Sequence, residues 1–363
     1  MTNRQPQPFD QASRGPGLME SMMWVSGYHL AQTLAGGLLL LLLLLTAFNG
    51  FPNDWMEFEQ FATQLGQGEL DWLLTSLLGC ATLGSLFVVL PLAFWRMSPR
   101  PRQSFGMELP TRRQLVLLTG AVVPLGILSD ELYRAASLLM AHVHELLIAQ
   151  WPVLASLKLD SDSISIIHGQ TTNTAYSQLL VIVGVGPAIG EEVIFRGVIG
   201  KGLIARCGIV RGVLLTSVLF AMAHLSPAHA LATLPIAVFL HVAYLATGSL
   251  WAPILVHFLN NALSVTMMKY ELGQNVQISM ILILSAVVYV TAIGFLLLRN
   301  ERPFVGQLWT HLMNGTTHSS TAGLSGDVTP LVYAPSWLIL VAGTGVLCFT
   351  WSFVAAASAA PAF

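Results

Sequence analysis

Eight consecutive leucines, Leu38 to Leu45, lie inside an apolar stretch running from about residue 29 to 48. As a helix, such a stretch is long enough to cross the ~30 Å hydrocarbon core of a bilayer. No water reaches the backbone there, so its polar groups must bond within the segment, and the helix does this. Comparable runs follow at about 72–95, 114–128 (extending as a helix through Met140), 177–198, 209–226, 230–246, 250–268, 277–298 and 335–358. Charged residues make up only 9 % of the chain and hydrophobic ones 54 %, with mean hydropathy +0.68, whereas soluble domains carry roughly 25 % charge. The chain therefore reads as an all-α, polytopic transmembrane helix bundle of about 8–9 spans, without a soluble domain or an internal repeat.

The charges that remain are placed by side. Arg96, Arg100, Arg102, Arg112 and Arg113 crowd one short loop, which the positive-inside rule assigns to the cytoplasm. The polar segment 1–28 then lies in the cytoplasm too, and the acidic stretch 49–71, with Asp54, Glu57, Glu59, Glu69 and Asp71, lies outside. Lys201, Arg206, Arg211, Arg299 and Arg302 fall on the same side as the first arginine loop. The mixed stretch 130–176 reads as an external segment with an amphipathic helix near 131–150 lying on or re-entering the membrane. Residues 303–334 are rich in Gly, Ser and Thr and read as a polar connection.

The first run starts late and lacks a cleavage pattern, so it reads as a retained span. An integral, multi-pass protein of the plasma or inner membrane, its amino terminus cytoplasmic, is the expectation, with membrane lipid as its surroundings. A net charge of −2 without a basic tail gives no sign of a nucleic-acid partner. Cys80, Cys207 and Cys348 have no metal-like spacing and read as small apolar packing residues.

Against this background the segment from Gly190 to Gly197, Gly-Glu-Glu-Val-Ile-Phe-Arg-Gly, is out of place. A charge at the centre of a membrane helix costs roughly 2.5–3.5 kcal/mol, so Glu191, Glu192 and Arg196 require partners or a water-filled cavity. Glu192 and Arg196 are spaced i, i+4 and can pair, while Glu191 points about 100° away. Two readings stand: a hydrated helix end, or a pair in which Glu191 is a poised general base.

Three further constellations bear on the choice. Phe220-Ala-Met-Ala-His224 ends one span with an imidazole. His257 and Asn261 lie i, i+4 on one face of another. Thr247-Gly-Ser-Leu-Trp-Ala-Pro253 brackets a tight return of the chain between Gly248 and Pro253. An acid pair, two histidines and an amide on neighbouring spans supply a base for water and donors for an oxyanion. Glu191, His224 and His257 are also residue types that suit zinc, but no His-Glu-x-x-His helix is present. A Gly-x-Ser-x-Gly loop for serine chemistry is missing as well. His229 reads as a loop residue and His241 as a core or interhelical contact. His142, His144 and Glu145 read as a solvated helix face.

In their order and spacing Glu191-Glu192-x-x-x-Arg196, Phe220-x-x-x-His224, Thr247 to Pro253 and His257-x-x-x-Asn261 resemble the motifs of the CPBP family. These are intramembrane glutamate endopeptidases that include the type II CAAX prenyl proteases and bacterial abortive-infection and immunity proteins. The resemblance covers about residues 178–265; Pro187 stands four residues before Glu191, where three is the more usual separation. It implies that segment 177–270 is a catalytic helix core, between N-terminal membrane helices over 29–176 and C-terminal ones over 271–363. It implies further that Glu191 activates water, that His224 holds that water, that His257 and Asn261 stabilise the oxyanion, and that Glu192 and Arg196 pair and shape the site. No cofactor is expected. The implied substrate is a membrane-associated or lipid-modified peptide or protein, its prenylation not being implied by the motifs. A non-catalytic immunity or scaffold protein of the same family is the alternative, and a transporter a more distant one, since inverted repeats with broken helices are missing.

Overall fold

The computed structural model describes residues 15–47, 71–97, 101–153, 174–272 and 278–299, with a few positions between 56 and 63. The acidic 49–71 stretch for the most part, the connection 303–334, the expected span 335–358 and Cys348 lie outside the described residues. Every regular element described is helical. In chain order they are α1 (Leu18–Ala47), α2 (Asp71–Arg96), α3 (Pro101–Phe105), α4 (Arg112–Gly120), α5 (Val122–Gln150), α6 (Tyr176–Cys207), α7 (Ile209–Met222), α8 (Pro227–Thr247), α9 (Trp251–Lys269) and α10 (Met280–Leu298).

Six of the described helical stretches are long and apolar enough to cross a membrane: α1, α2, α4 with α5, α6, α8 and α10. The protein is an integral, multi-pass membrane protein. The expectation of eight to nine spans is met only to that extent. The expected runs at 209–226 and 250–268 do fold as helices, but α7 has 14 residues, about 21 Å at 1.5 Å per residue, and α9 carries His257, Asn260, Asn261 and Lys269.

Two boundaries also moved. Helix α1 begins at Leu18, not near residue 29, because Glu20 is neutralised by Arg96 of α2 through a 2.7 Å ion pair. The stretch expected to form a separate amphipathic helix near 131–150 continues the preceding one, so that Arg112–Gln150 runs for 39 residues. The junction at Ala121 does not break it, since Ala121 N–H bonds back to Leu117 and Leu118 carbonyls. Asp130 and Glu131 are held by Arg134 at 3.1 Å each, one turn away on the same helix, which lets the charges be carried without a turn.

Local chemistry explains the other ends. Thr111 and Gln114 form a reciprocal capping box at the start of α4. Ser226 caps α8 at the His229 N–H, and Ser279 caps α10. Gly248 closes α8 with φ +64°, a left-handed value that glycine adopts without steric penalty. From there the chain turns into α9, the return expected between Gly248 and Pro253, and Ser249 Oγ and Trp251 Nε1 bond to the Glu108 and Met107 carbonyls.

Helices α6 and α8 are the inner ones, with 56 % of their apolar windows buried against 6 % for α1. Around α6 one buried cluster joins Tyr28, Val89, Ile194, Phe195, Phe220 and Ala237 from α1, α2, α6, α7 and α8. A second joins Ala93, Phe105, Val193, Val198, Tyr244 and Leu250. Fixing α6 from both sides in this way fixes its charged residues.

Candidate active site

Helix α6 is not wound uniformly. Leu180–Val185 and Val193–Gly200 are π-helix, and between them Gly186–Glu192 is α-helix. π turns are uncommon and concentrate at functional sites, where the wider turn changes the direction of the side chains and carbonyls that follow. Here the two π turns flank the acid pair. The Val183 carbonyl, in the first of them, accepts a 2.9 Å bond from the Asn261 Nδ2 of α9. The start of α6 is tied down by Tyr176–Thr266 and Thr75–Thr174 hydroxyl bonds, both 2.8 Å, to α9 and α2.

Glu192 and Arg196 are both fully buried and pair at 2.9 Å. The pairing expected from their i, i+4 spacing is present even though π turns follow. Arg196 also donates through Nη2 to the Ala237 carbonyl of α8 at 2.9 Å, and its guanidinium lies 4.5 Å from the centre of the Phe220 ring. The same Glu192 oxygen is met by His257 Nδ1 at 2.7 Å. Glu192 is thus the hub of a three-helix network joining α6, α8 and α9. Two buried charges that leave water are tolerated when they pair this closely; Glu192 Oε2 and Arg196 Nε are buried without a hydrogen bond among the described residues.

Glu191 differs in every respect. It is only partly buried, and among the described residues no hydrogen bond or ion pair engages its carboxylate. It lies within electrostatic reach of His257, Glu192 and Arg196. One acid of the pair is therefore structural by its bonding and the other is unengaged.

His224 sits in the turn after α7. Its Nδ1 is 3.0 Å from the Phe220 carbonyl. A carbonyl only accepts, so Nδ1 carries the proton and Nε2 of the neutral ring is left as an acceptor. By the same reasoning Nδ1 of His257 donates to the Glu192 carboxylate, which leaves its Nε2 for something else. Asn261 spends one amide N–H on Val183 and keeps another. The Phe220 ring joins these groups: its centroid lies 5.1 Å from the His224 ring, 5.8 Å from His257 and 5.0 Å from Phe195. Of the six residues predicted from the sequence, Glu192, Arg196, His224 and His257 are joined by these contacts around Phe220. Glu191 lies within electrostatic reach of His257, Glu192 and Arg196, and Asn261, one turn along α9 from His257, bonds to α6 at Val183.

Residues 173–263 match the family model of the Rce1-like type II CAAX prenyl endopeptidases. Over that stretch, about a quarter of the chain, the sequence is similar to that family. No curated protein and no solved structure matches it. The matched stretch of the CAAX prenyl endopeptidase family runs from just before α6 into α9 and holds every residue of the cluster, in keeping with the motif resemblance over 178–265. It excludes α1, α2 and α10, which pack around the matched helices.

Three participants escaped the sequence reading. Phe220 is a motif position whose ring turns out to be the packing centre of the site. His229, expected in a loop, lies in the first turn of α8 with its ring 4.3 Å from that of His224; Ser226-Pro227, a cap followed by proline at the first helical position, is the signal that would have placed it. The Val183 carbonyl is invisible to sequence because backbone acceptors have no letter. His241 is a core residue as expected, fully buried between α8 and Gly200. His142 and Glu145 are exposed on α5 and His144 is half-buried, the helix face expected of them. Among the described residues no group of three His, Cys, Asp or Glu side chains is placed to share a metal ion. Cys80 and Cys207 are free thiols.

Proposed function

We propose that this protein is an intramembrane endopeptidase that hydrolyses a peptide bond of a membrane-associated, lipid-modified peptide with water activated by Glu191. The observation that carries the reading is the division between the two acids: Glu192 is consumed by Arg196 and His257, while Glu191 beside it is unengaged. A carboxylate without a partner in an apolar bundle is a strong base for a water molecule and is not needed to hold the fold.

In the proposed reaction Glu191 takes a proton from a water whose other hydrogen is held by Nε2 of His224. The oxygen adds to the scissile carbonyl and the carbonyl electrons move onto its oxygen. The free amide N–H of Asn261 donates to that oxyanion, and His257 lines the site beside it. Collapse of the intermediate breaks the C–N bond, and the amine leaves with the proton that Glu191 held. Arg196 and Glu192 keep His257 in place. The family's description names prenylated CAAX peptides as the substrate class, and the long apolar faces of the bundle suit a substrate presented from the lipid. The arginines at 96–113 favour a cytoplasmic amino terminus, which is the side on which such peptides are held.

The test is cleavage by the purified protein and by Glu191→Gln of quenched peptides with and without a prenyl group, each with and without a chelator. Wild-type cleavage lost in the variant and indifferent to chelator is the expected result. Equal turnover by both proteins removes Glu191 from the mechanism, and cleavage abolished by chelator replaces glutamate activation with metal activation. Absence of cleavage by the wild type on every peptide would favour a non-catalytic scaffold.

A further inference from the structure

Helix α1 lies outside the matched stretch, yet it brings a polar group to the site. Tyr28 is 3 % exposed and sits in the cluster with Ile194, Phe195 and Phe220. Its ring lies against the backbone of α6 at Gly190, the residue before Glu191. A Cβ on Gly190 would stand 3.2 Å from the Tyr28 hydroxyl and 2.8 Å from Leu86, so glycine is what permits this approach. The hydroxyl oxygen is buried and makes no hydrogen bond of normal geometry among the described residues; Gln32, one turn along α1, comes near it without achieving one. The Glu191 carboxylate is within electrostatic reach of that hydroxyl.

Packing alone does not account for the residue. Phenylalanine would fill the same space among apolar neighbours, and a buried hydroxyl without a partner is unfavourable. A phenol packed against the backbone at Gly190 and an unengaged carboxylate on the next residue, within electrostatic reach of it, have complementary chemistry, donor to acceptor. The neighbouring His29 likewise has a buried Nε2 without a hydrogen bond among the described residues.

We infer that Tyr28 of α1 is a positioning residue for Glu191, its hydroxyl donating to one carboxylate oxygen so that the other is aimed at water. The inference rests on the role proposed for Glu191, and it makes the amino-terminal helix part of a site whose family motifs all lie beyond residue 173. No covalent step is assigned to Tyr28, and its proton stays on the phenol.

The test separates the position of the hydroxyl from the activity. In full-length protein reconstituted in nanodiscs, the infrared difference between wild type and Glu191→Gln identifies the Glu191 carboxyl band. In Tyr28→Phe that band is displaced, with the unfolding midpoint unchanged, and 3-fluorotyrosine at position 28, which alters the hydroxyl's acidity but scarcely its shape, displaces it as well. A band that stays in place in both proteins overturns the inference, whether or not peptide is cleaved. On a substrate that the wild type cleaves, Tyr28→Phe lowers kcat roughly tenfold, the loss of about one hydrogen bond to a charged group, at unchanged KM. A rise in KM with kcat intact would also overturn the positioning role. Failure of the wild type to cleave any peptide would refute the endopeptidase reading and leave the infrared result standing by itself.

Discussion

Replacing Arg196 by methionine tests whether the buried network is held as a unit. Methionine keeps the length and apolar bulk of the side chain, so the change removes mainly charge and donors. Lost are the 2.9 Å pair with Glu192, the 2.9 Å bond to the Ala237 carbonyl and the contact with the Phe220 ring. Breaking a buried ion pair at one partner costs about 3–5 kcal/mol, because the other charge is left in the interior. Here His257 still donates to Glu192, which puts the expected loss toward the lower end, about 3 kcal/mol. The double replacement Glu192→Gln with Arg196→Met removes both charges and leaves a neutral amide within reach of His257. It is expected to recover about half of the loss or more, since a buried pair replaced on both sides is often nearly neutral. Reversible unfolding in mixed micelles, followed by tryptophan fluorescence, measures both variants. A single variant within about 1 kcal/mol of wild type, or a double variant that costs the sum of the two singles, would refute the view that Glu192 and Arg196 compensate one another inside the bundle.

Glu191→Gln is expected to leave the unfolding free energy within about 0.5 kcal/mol of wild type, as for any residue without partners, while peptide turnover disappears; the same two assays check it. Asn261→Ala takes away the bond to the Val183 carbonyl and leaves that acceptor unpaired, at about 1–3 kcal/mol in the same unfolding measurement, and slows turnover without weakening substrate binding. Gly190→Ala places a methyl against Leu86 and Tyr28 and is expected to cost about 1–3 kcal/mol through overpacking, with disulfide trapping between α1 and α6 reporting their separation. Gly248→Ala forces alanine to φ near +64° and is expected to lose about 1–2 kcal/mol.

The sequence by itself determined that this chain lives in a membrane and that it is helical, and it singled out six polar residues as candidates for a site. The reason is the solvent: hydrocarbon leaves the backbone few options, so apolar runs of twenty residues identify helices, and each charge within them stands out because it is expensive there. The pairing of Glu192 with Arg196 was legible for a further reason, since i, i+4 spacing is a local property of a helix. The family match over 173–263 spans the same short motifs.

Helix ends were read less well. The polar segment 1–28 reads as preceding the first span, and the mixed stretch 130–176, with Asp130, Glu131 and Arg134, as an external segment after the third. Both readings fail because the charges are compensated, across α1 and α2 in the first case and within one helical turn in the second.

Only the tertiary structure decided which acid is free. Adjacent glutamates are equivalent in a sequence, and their difference comes from what the neighbouring helices present: His257 of α9 and Arg196 bond to Glu192, and among the described residues no hydrogen bond or ion pair engages Glu191. The π turns of α6, the Phe220 ring at the centre of the site and the approach of Tyr28 to Gly190 belong to the same class. Each depends on residues distant in the chain meeting at one place, and no local pattern encodes a meeting that packing alone brings about.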